Sequence, residues 1–92
     1  MIPTPDETRG TILTIRDEGS IFQMMYHIDG DGIDAINWDH RMFANFYEGA
    51  TGRSFARDYG FGAGREYVSR QLVGKRIVVR GEPFSQTVSV ED

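Results

Sequence analysis

The chain has 92 residues, no cysteine and a formal net charge of −4. That length suits one small domain. The absence of thiols excludes disulfides, thiolate zinc sites and cysteine nucleophiles, and no apolar run approaches the roughly 20 residues of a spanning helix.

Met1 to Thr8 holds two prolines and two acids and reads as a loose N-terminal arm. Residues 9–92 are expected to form the single domain. No basic segment followed by an apolar one opens the chain, so a cytoplasmic protein is expected. Arg9 to Arg16 reads as a strand, with Ile12 set against Leu13 and Ile15 by strand alternation. A turn at Asp17-Glu18-Gly19-Ser20 leads into a second strand, Ile21 to Ile28. There Phe22, Met24, Tyr26 and Ile28 share the stronger core face, and Ile21, Gln23, Met25 and His27 share the other.

Asp29-Gly30-Asp31-Gly32 is a hairpin signal between apolar runs. Its alternative reading is a calcium loop built on Asp29, Asp31 and Asp34. That pattern fails where it is strict: Ile33 takes the third ligand position, Asp34 the required glycine, and His40 the closing glutamate. No metal is therefore expected there.

Ile33 to Trp38 is a short third strand with Ile36 and Trp38 on one face. Asp39 is a good N-cap. His40 to Glu48 then reads as a helix with Met42, Phe43, Phe46 and Tyr47 as its apolar stripe, ending at Gly49. Gly49 to Gly64 carries five glycines, three aromatics (Phe55, Tyr59, Phe61) and two arginines, and is expected to be a long loop. Arg65 to Val73 reads as a second helix. Lys75 to Val90 closes the chain as a hairpin, with Ile77 and Val79 inward and Arg76, Val78 and Arg80 outward, turning at Gly81-Glu82-Pro83-Phe84. The expected core is Phe22, Met24, Tyr26, Trp38, Ile77, Val79 and Val88, with Phe43 and Phe46 packed onto it.

The order strand, strand, strand, helical insert, strand, strand fits a five-stranded, mainly β barrel. The phrase Leu72-Val73-Gly74-Lys75-Arg76-Ile77-Val78-Val79-Arg80-Gly81 resembles the fourth-strand entry of OB-fold proteins. The resemblance is one of fold, and it implies a partly open barrel that binds on the face of strands two and three. The runner-up is a Src-homology-3-like barrel, or another α+β sheet with two helices on one face.

No catalytic constellation is visible. His27 and His40 lack partners at metal spacing, and the chain has no nucleophile elbow and no Walker lysine. Neither enzymatic activity nor a cofactor is expected. Charge is unevenly placed: residues 53–80 hold seven cations against two acids, a net +5, and the remainder three arginines against twelve acids, a net −9. A non-enzymatic binding module follows, with two possible partners. Single-stranded nucleic acid would use Arg53, Arg57, Arg76 and Arg80 for phosphates and Tyr59 and Phe61 for bases. A protein partner would instead order the 49–64 loop.

Overall fold

The computed structural model describes residues 7–60, 64–81 and 86–91, and its frame is one long central strand. β1 (Glu7–Asp17) lies in the middle of a five-stranded antiparallel sheet of order β3-β2-β1-β4-β5. Here β2 is Ile21–Ile28, β3 Ile33–Asp39, β4 Arg76–Arg80 and β5 Thr87–Val90. β1 pairs with β4 over Glu7–Thr11 and with β2 over Gly10–Asp17. Glu7 and Thr8, expected in the arm, belong to the sheet because Arg80 and Val79 stand opposite them.

Gly10 sits where β1 has both neighbours, opposite Ile28 and Ile77. A Cβ at this position would lie 2.4 Å from the His27 carbonyl oxygen. Only glycine lets the strands approach so closely there.

The register of β1 against β2 shifts between Ile12 and Thr14. Leu13 is the extra residue of this bulge, and it is exposed. Alternation alone puts Ile12 and Ile15 on opposite faces; one inserted residue reverses the parity beyond it. Ile12 stands opposite Tyr26 and Ile15 opposite Met24, and both join the core. The expected opposition of Ile12 to Ile15 is thus corrected by the bulge. The same shift brings Asp17 opposite Phe22, on the helix-covered face.

Three helices cover that face: α1 (His40–Thr51), α2 (Phe55–Gly60) and α3 (Gly64–Leu72). α1 starts as expected, with the Asp39 carboxylate accepting the Met42 N–H at 2.8 Å. It runs through Gly49 and stops at Gly52, whose φ of +71° is left-handed and whose N–H returns to the Glu48 carbonyl at 3.0 Å. The 49–64 segment is therefore not the long loop expected. Helix continues to Thr51, restarts at Phe55, and restarts again at Gly64. Packing overrides glycine content here, because Phe55 and Tyr59 lie four residues apart and face the core together. Phe61 lies outside the described residues.

The core joins both layers. Phe22 is its centre: Phe43 stacks on it at 4.2 Å between centroids, and Phe55 and Tyr59 meet it edge-on at 5.8 and 5.7 Å. Met24, Tyr26, Trp38, Ile77 and Val79 are buried as expected, while Val88 and Phe46 are partly buried. Met42, expected in the α1 stripe, is exposed.

The sheet does not close. Among the described residues β3 and β5 are its two edges, and α1 touches both. A helix thus lies where strand pairing would complete a barrel, and the fold is an open, β-rich sheet with helices across one face. Among the described residues no helix is long and apolar enough to cross a membrane.

Candidate functional site

The sequence-selected residues divide between the two faces of the sheet. Arg53, Arg57 and Tyr59 belong to the helical layer. Arg76 and Arg80 point from β4 to the opposite face. They do not converge on one groove.

In the helical layer Arg53 is a structural cation. Its Nε donates to Asp58 Oδ2 at 2.7 Å and its Nη2 to Asp58 Oδ1 at 3.2 Å. The buried Tyr47 hydroxyl donates to the same Asp58 Oδ2 at 2.5 Å. The guanidinium also lies 5.3 Å above the Tyr67 ring. One buried carboxylate thereby ties α1 to α2 through charge-assisted hydrogen bonds, and its partner Arg53 reaches α3 through the face of the Tyr67 ring. Arg53 first, and the Tyr47 hydroxyl second, hold the Asp58 carboxyl below the usual carboxylate range. Burial, with Asp58 beside it, pushes the Tyr47 hydroxyl well up. The Glu48 carboxylate accepts the Phe55 N–H at 2.9 Å and so caps α2.

Tyr59 is likewise occupied. Its ring stacks on Phe55 at 5.1 Å, and its hydroxyl donates to Asp17 Oδ2. That hydrogen bond lowers the Asp17 carboxyl and raises the Tyr59 phenol. His40 Nε2 lies 3.9 Å from Asp17 Oδ1, buried and without a hydrogen-bond partner. Beside this cluster a shallow groove of about 590 Å³ runs between the end of β1 and α3. Ile15, Arg16, Glu18, Arg65 and Arg70 are among the residues that line it. Arg57 is exposed on α2 and, among the described residues, has no carboxylate within ion-pair distance.

On the other face Arg76 and Arg80 stand in a ladder of alternating charges. Arg76 Nη1 donates to Asp29 Oδ1 at 2.6 Å and to Thr11 Oγ1 at 3.0 Å. Arg80 Nε donates to Glu7 Oε2 at 2.9 Å. Arg9 bridges Glu7 and Glu91 at 2.6 and 2.7 Å. Three arginines thus face three carboxylates. Arg80 foremost lowers the Glu7 carboxyl, and Arg76 the Asp29 carboxyl. Val78 lies among them, between Arg9 and Ser89, and is only 4% exposed. Of the expected phosphate-binding arginines, Arg53, Arg76 and Arg80 are therefore already neutralised, and only Arg57 has no such partner among the described residues. Asp29, once a conceivable calcium ligand, holds Arg76 instead.

The rest of this outer face is different in kind. β2 contributes Ile21, Gln23, Met25 and His27, and β3 contributes Ile33, Ala35 and Asn37. None of these carries a formal charge with histidine neutral; the one charged residue that these two strands place on this face, Asp39, stands opposite Ile21 at the end of β3 and caps α1. Ile33 is 56% exposed, and no described helix covers the surface. Its one side-chain hydrogen bond among the described residues joins Gln23 Nε2 to Asn37 Oδ1 at 3.3 Å. The β2 members of this set are the second face expected of that strand, whereas Ile33, Ala35 and Asn37 were not expected to join them. The signal lay in that lack of charge, in a chain where a quarter of residues are charged.

No protein-family model, curated protein or solved structure matches this chain.

Proposed function

We propose that the protein is a small, non-enzymatic binding module with OB-fold-like strand connectivity, and that it takes a protein partner on the outer face of β2 and β3. The carrying observation is the split of that face: a half with its charges paired on β1, β4 and β5, and an uncovered half on β2 and β3 that is free of charge up to the capping Asp39 at its end. Interface cores are depleted of charge and surrounded by a polar rim, and the ion-pair ladder supplies such a rim. β1 pairs with both β2 and β4, as the OB-fold order requires, and OB-folds bind on the face of strands two and three. Single-stranded nucleic acid is the weaker reading. It needs unpaired cations beside accessible aromatics, whereas Arg53, Arg76 and Arg80 hold carboxylates and Tyr59 packs on Phe55.

The experiment is a selection from a random-peptide phage library, with each selected peptide mapped by amide shift changes. Perturbation of Gln23, Met25, Ala35 and Asn37 is expected. Met25→Arg should abolish binding while leaving the melting temperature in place. Binding of an oligothymidylate at low salt, where electrostatics is most exaggerated, and its loss on Arg76→Ala and Arg80→Ala, would overturn the proposal.

A further inference from the structure

The register of β3 narrows the partner, given the protein-partner reading above. β2 and β3 pair antiparallel, with Tyr26 opposite Asp34, Met24 opposite Ile36 and Phe22 opposite Trp38. The Ile28 N–H donates to the Gly32 carbonyl at 2.8 Å. In an antiparallel ladder, hydrogen-bonded and non-hydrogen-bonded pairs alternate. The bonded set facing β2 is therefore Asp34, Ile36 and Trp38. The N–H and C=O groups of Ile33, Ala35 and Asn37 turn to the free edge, since β3 ends the sheet among the described residues. Ala35 bears this out: its N–H donates to Asp34 Oδ1 at 2.8 Å, a local substitute for a missing strand. No other described group accepts from the Ile33 or Asn37 amides.

Three aspartates, Asp31, Asp34 and Asp39, are spaced along this edge, and among the described residues none has a cation within ion-pair distance. Their carboxylates accept N–H groups, from Gly32, Ala35 and Met42 respectively, and Asp34 also meets the Tyr26 hydroxyl opposite it. Arg76 of the ladder is held by Asp29. A second copy of the chain is a poor occupant, because antiparallel pairing of two β3 strands would bring their aspartates together, and like charges across strands repel.

We infer that the partner adds to the edge of β3 as a sixth strand. It would be an extended segment with lysine or arginine opposite Asp34 and at its two ends, beside Asp31 and Asp39. Apolar side chains would lie against Ile33 and Ala35. Main-chain hydrogen bonds to Ile33 and Asn37 supply the pairing, as in strand addition generally. The carboxylates select a basic segment over an acidic one.

The probe is a synthetic seven-residue peptide of β-branched residues with three lysines, titrated into isotope-labelled protein beside its glutamate counterpart. The lysine peptide should shift the Ile33 and Asn37 amides, slow their hydrogen exchange, and bind more weakly as salt rises. The glutamate peptide should shift neither. Asn37→Pro removes an outward donor without touching the β2 ladder, a position where an edge strand tolerates proline; it should weaken binding roughly three- to tenfold. Asp31→Asn with Asp34→Asn keeps the accepting oxygens and removes only charge. That pair should weaken binding about two- to fivefold for each carboxylate and flatten the salt dependence. Equal binding of both peptides, or no amide shift with either, overturns the inference. So does a concentration-dependent dimer whose Ile33 and Asn37 amides are protected without peptide. Shifts confined to Ile21 and Met25 also overturn it while leaving the protein-partner reading intact. Only the oligonucleotide result above would remove that reading.

Discussion

The two faces of the sheet use charge in opposite ways. On the helix-covered face a single carboxylate, Asp58, is buried and takes three hydrogen bonds from two residues. On the outer face Arg9, Arg76 and Arg80 meet Glu7, Asp29 and Glu91 at similar distances, but their side chains are partly exposed. Distance alone does not rank these pairs. A buried charge stripped of a partner is left in a poor dielectric, whereas an exposed one is taken up by water and screened by salt. The inner pair is therefore structural. The outer ladder contributes little to stability, and its main effect is to remove three arginines from the set available to a ligand.

The largest expected effect tests the faces themselves. Ile77 and Val78 are neighbours on β4, both buried, but Ile77 enters the aromatic core and Val78 lies under the arginine ladder. Ile77→Ala should cost roughly 2–5 kcal/mol in a denaturant titration, because rigid neighbours leave a cavity. Val78→Ala should cost less, since flexible arginine stems can settle into the space. An equal loss at both positions would mean that the outer face is packed as tightly as the core.

A smaller effect tests the inner carboxylate. Tyr47→Phe leaves Asp58 without one of its donors and should cost about 1.5–3 kcal/mol, the usual worth of a hydrogen bond to a charged group. The pH dependence has a definite sign. Arg53 holds the folded-state Asp58 carboxyl below its unfolded range. Its contribution is thus present above the unfolded value of about 3.9 and is lost as pH falls through the lower folded value. The melting-temperature gap between the wild type and Arg53→Ala should be wide at pH 7 and narrow below about pH 4. A gap that stays constant across this range would show that Arg53 acts through packing on Tyr67 rather than through charge.

The same contrast explains what could be read from the sequence. All five strands, the Asp39 cap and most of the core were legible, because period-two alternation and an N-cap are local signals. The position of Ile15 was not, since an inserted residue reverses parity without leaving a composition signal. The helix at Phe55–Gly60 was hidden by its flanking glycines. What makes it fold is the contact of Phe55 and Tyr59 with Phe22, on a distant strand. The arginines were conspicuous but misleading. Residues 53–80 carry an excess of cations, yet the acids that neutralise the outward-facing ones come from Glu7, Asp29 and Glu91, far away in sequence. A charge count along the chain cannot see pairing across a sheet.

The smallest effect is expected at the ladder. Arg80→Ala removes one exposed guanidinium from Glu7, which keeps Arg9 as its second partner at 2.6 Å. The melting temperature should fall less than for Tyr47→Phe. The fall should shrink further as salt approaches about 1 M, where the screening length is only about 3 Å. Glu7 should titrate closer to its ordinary value in the variant, since Arg80 is the foremost cause of its lowering. Should Arg80→Ala prove as damaging as Tyr47→Phe, and remain so in high salt, the ladder would be a second structural core. The paired half of the outer face would then be rigid scaffold, and the uncovered half on β2 and β3 would gain a fixed border against which a partner strand could align.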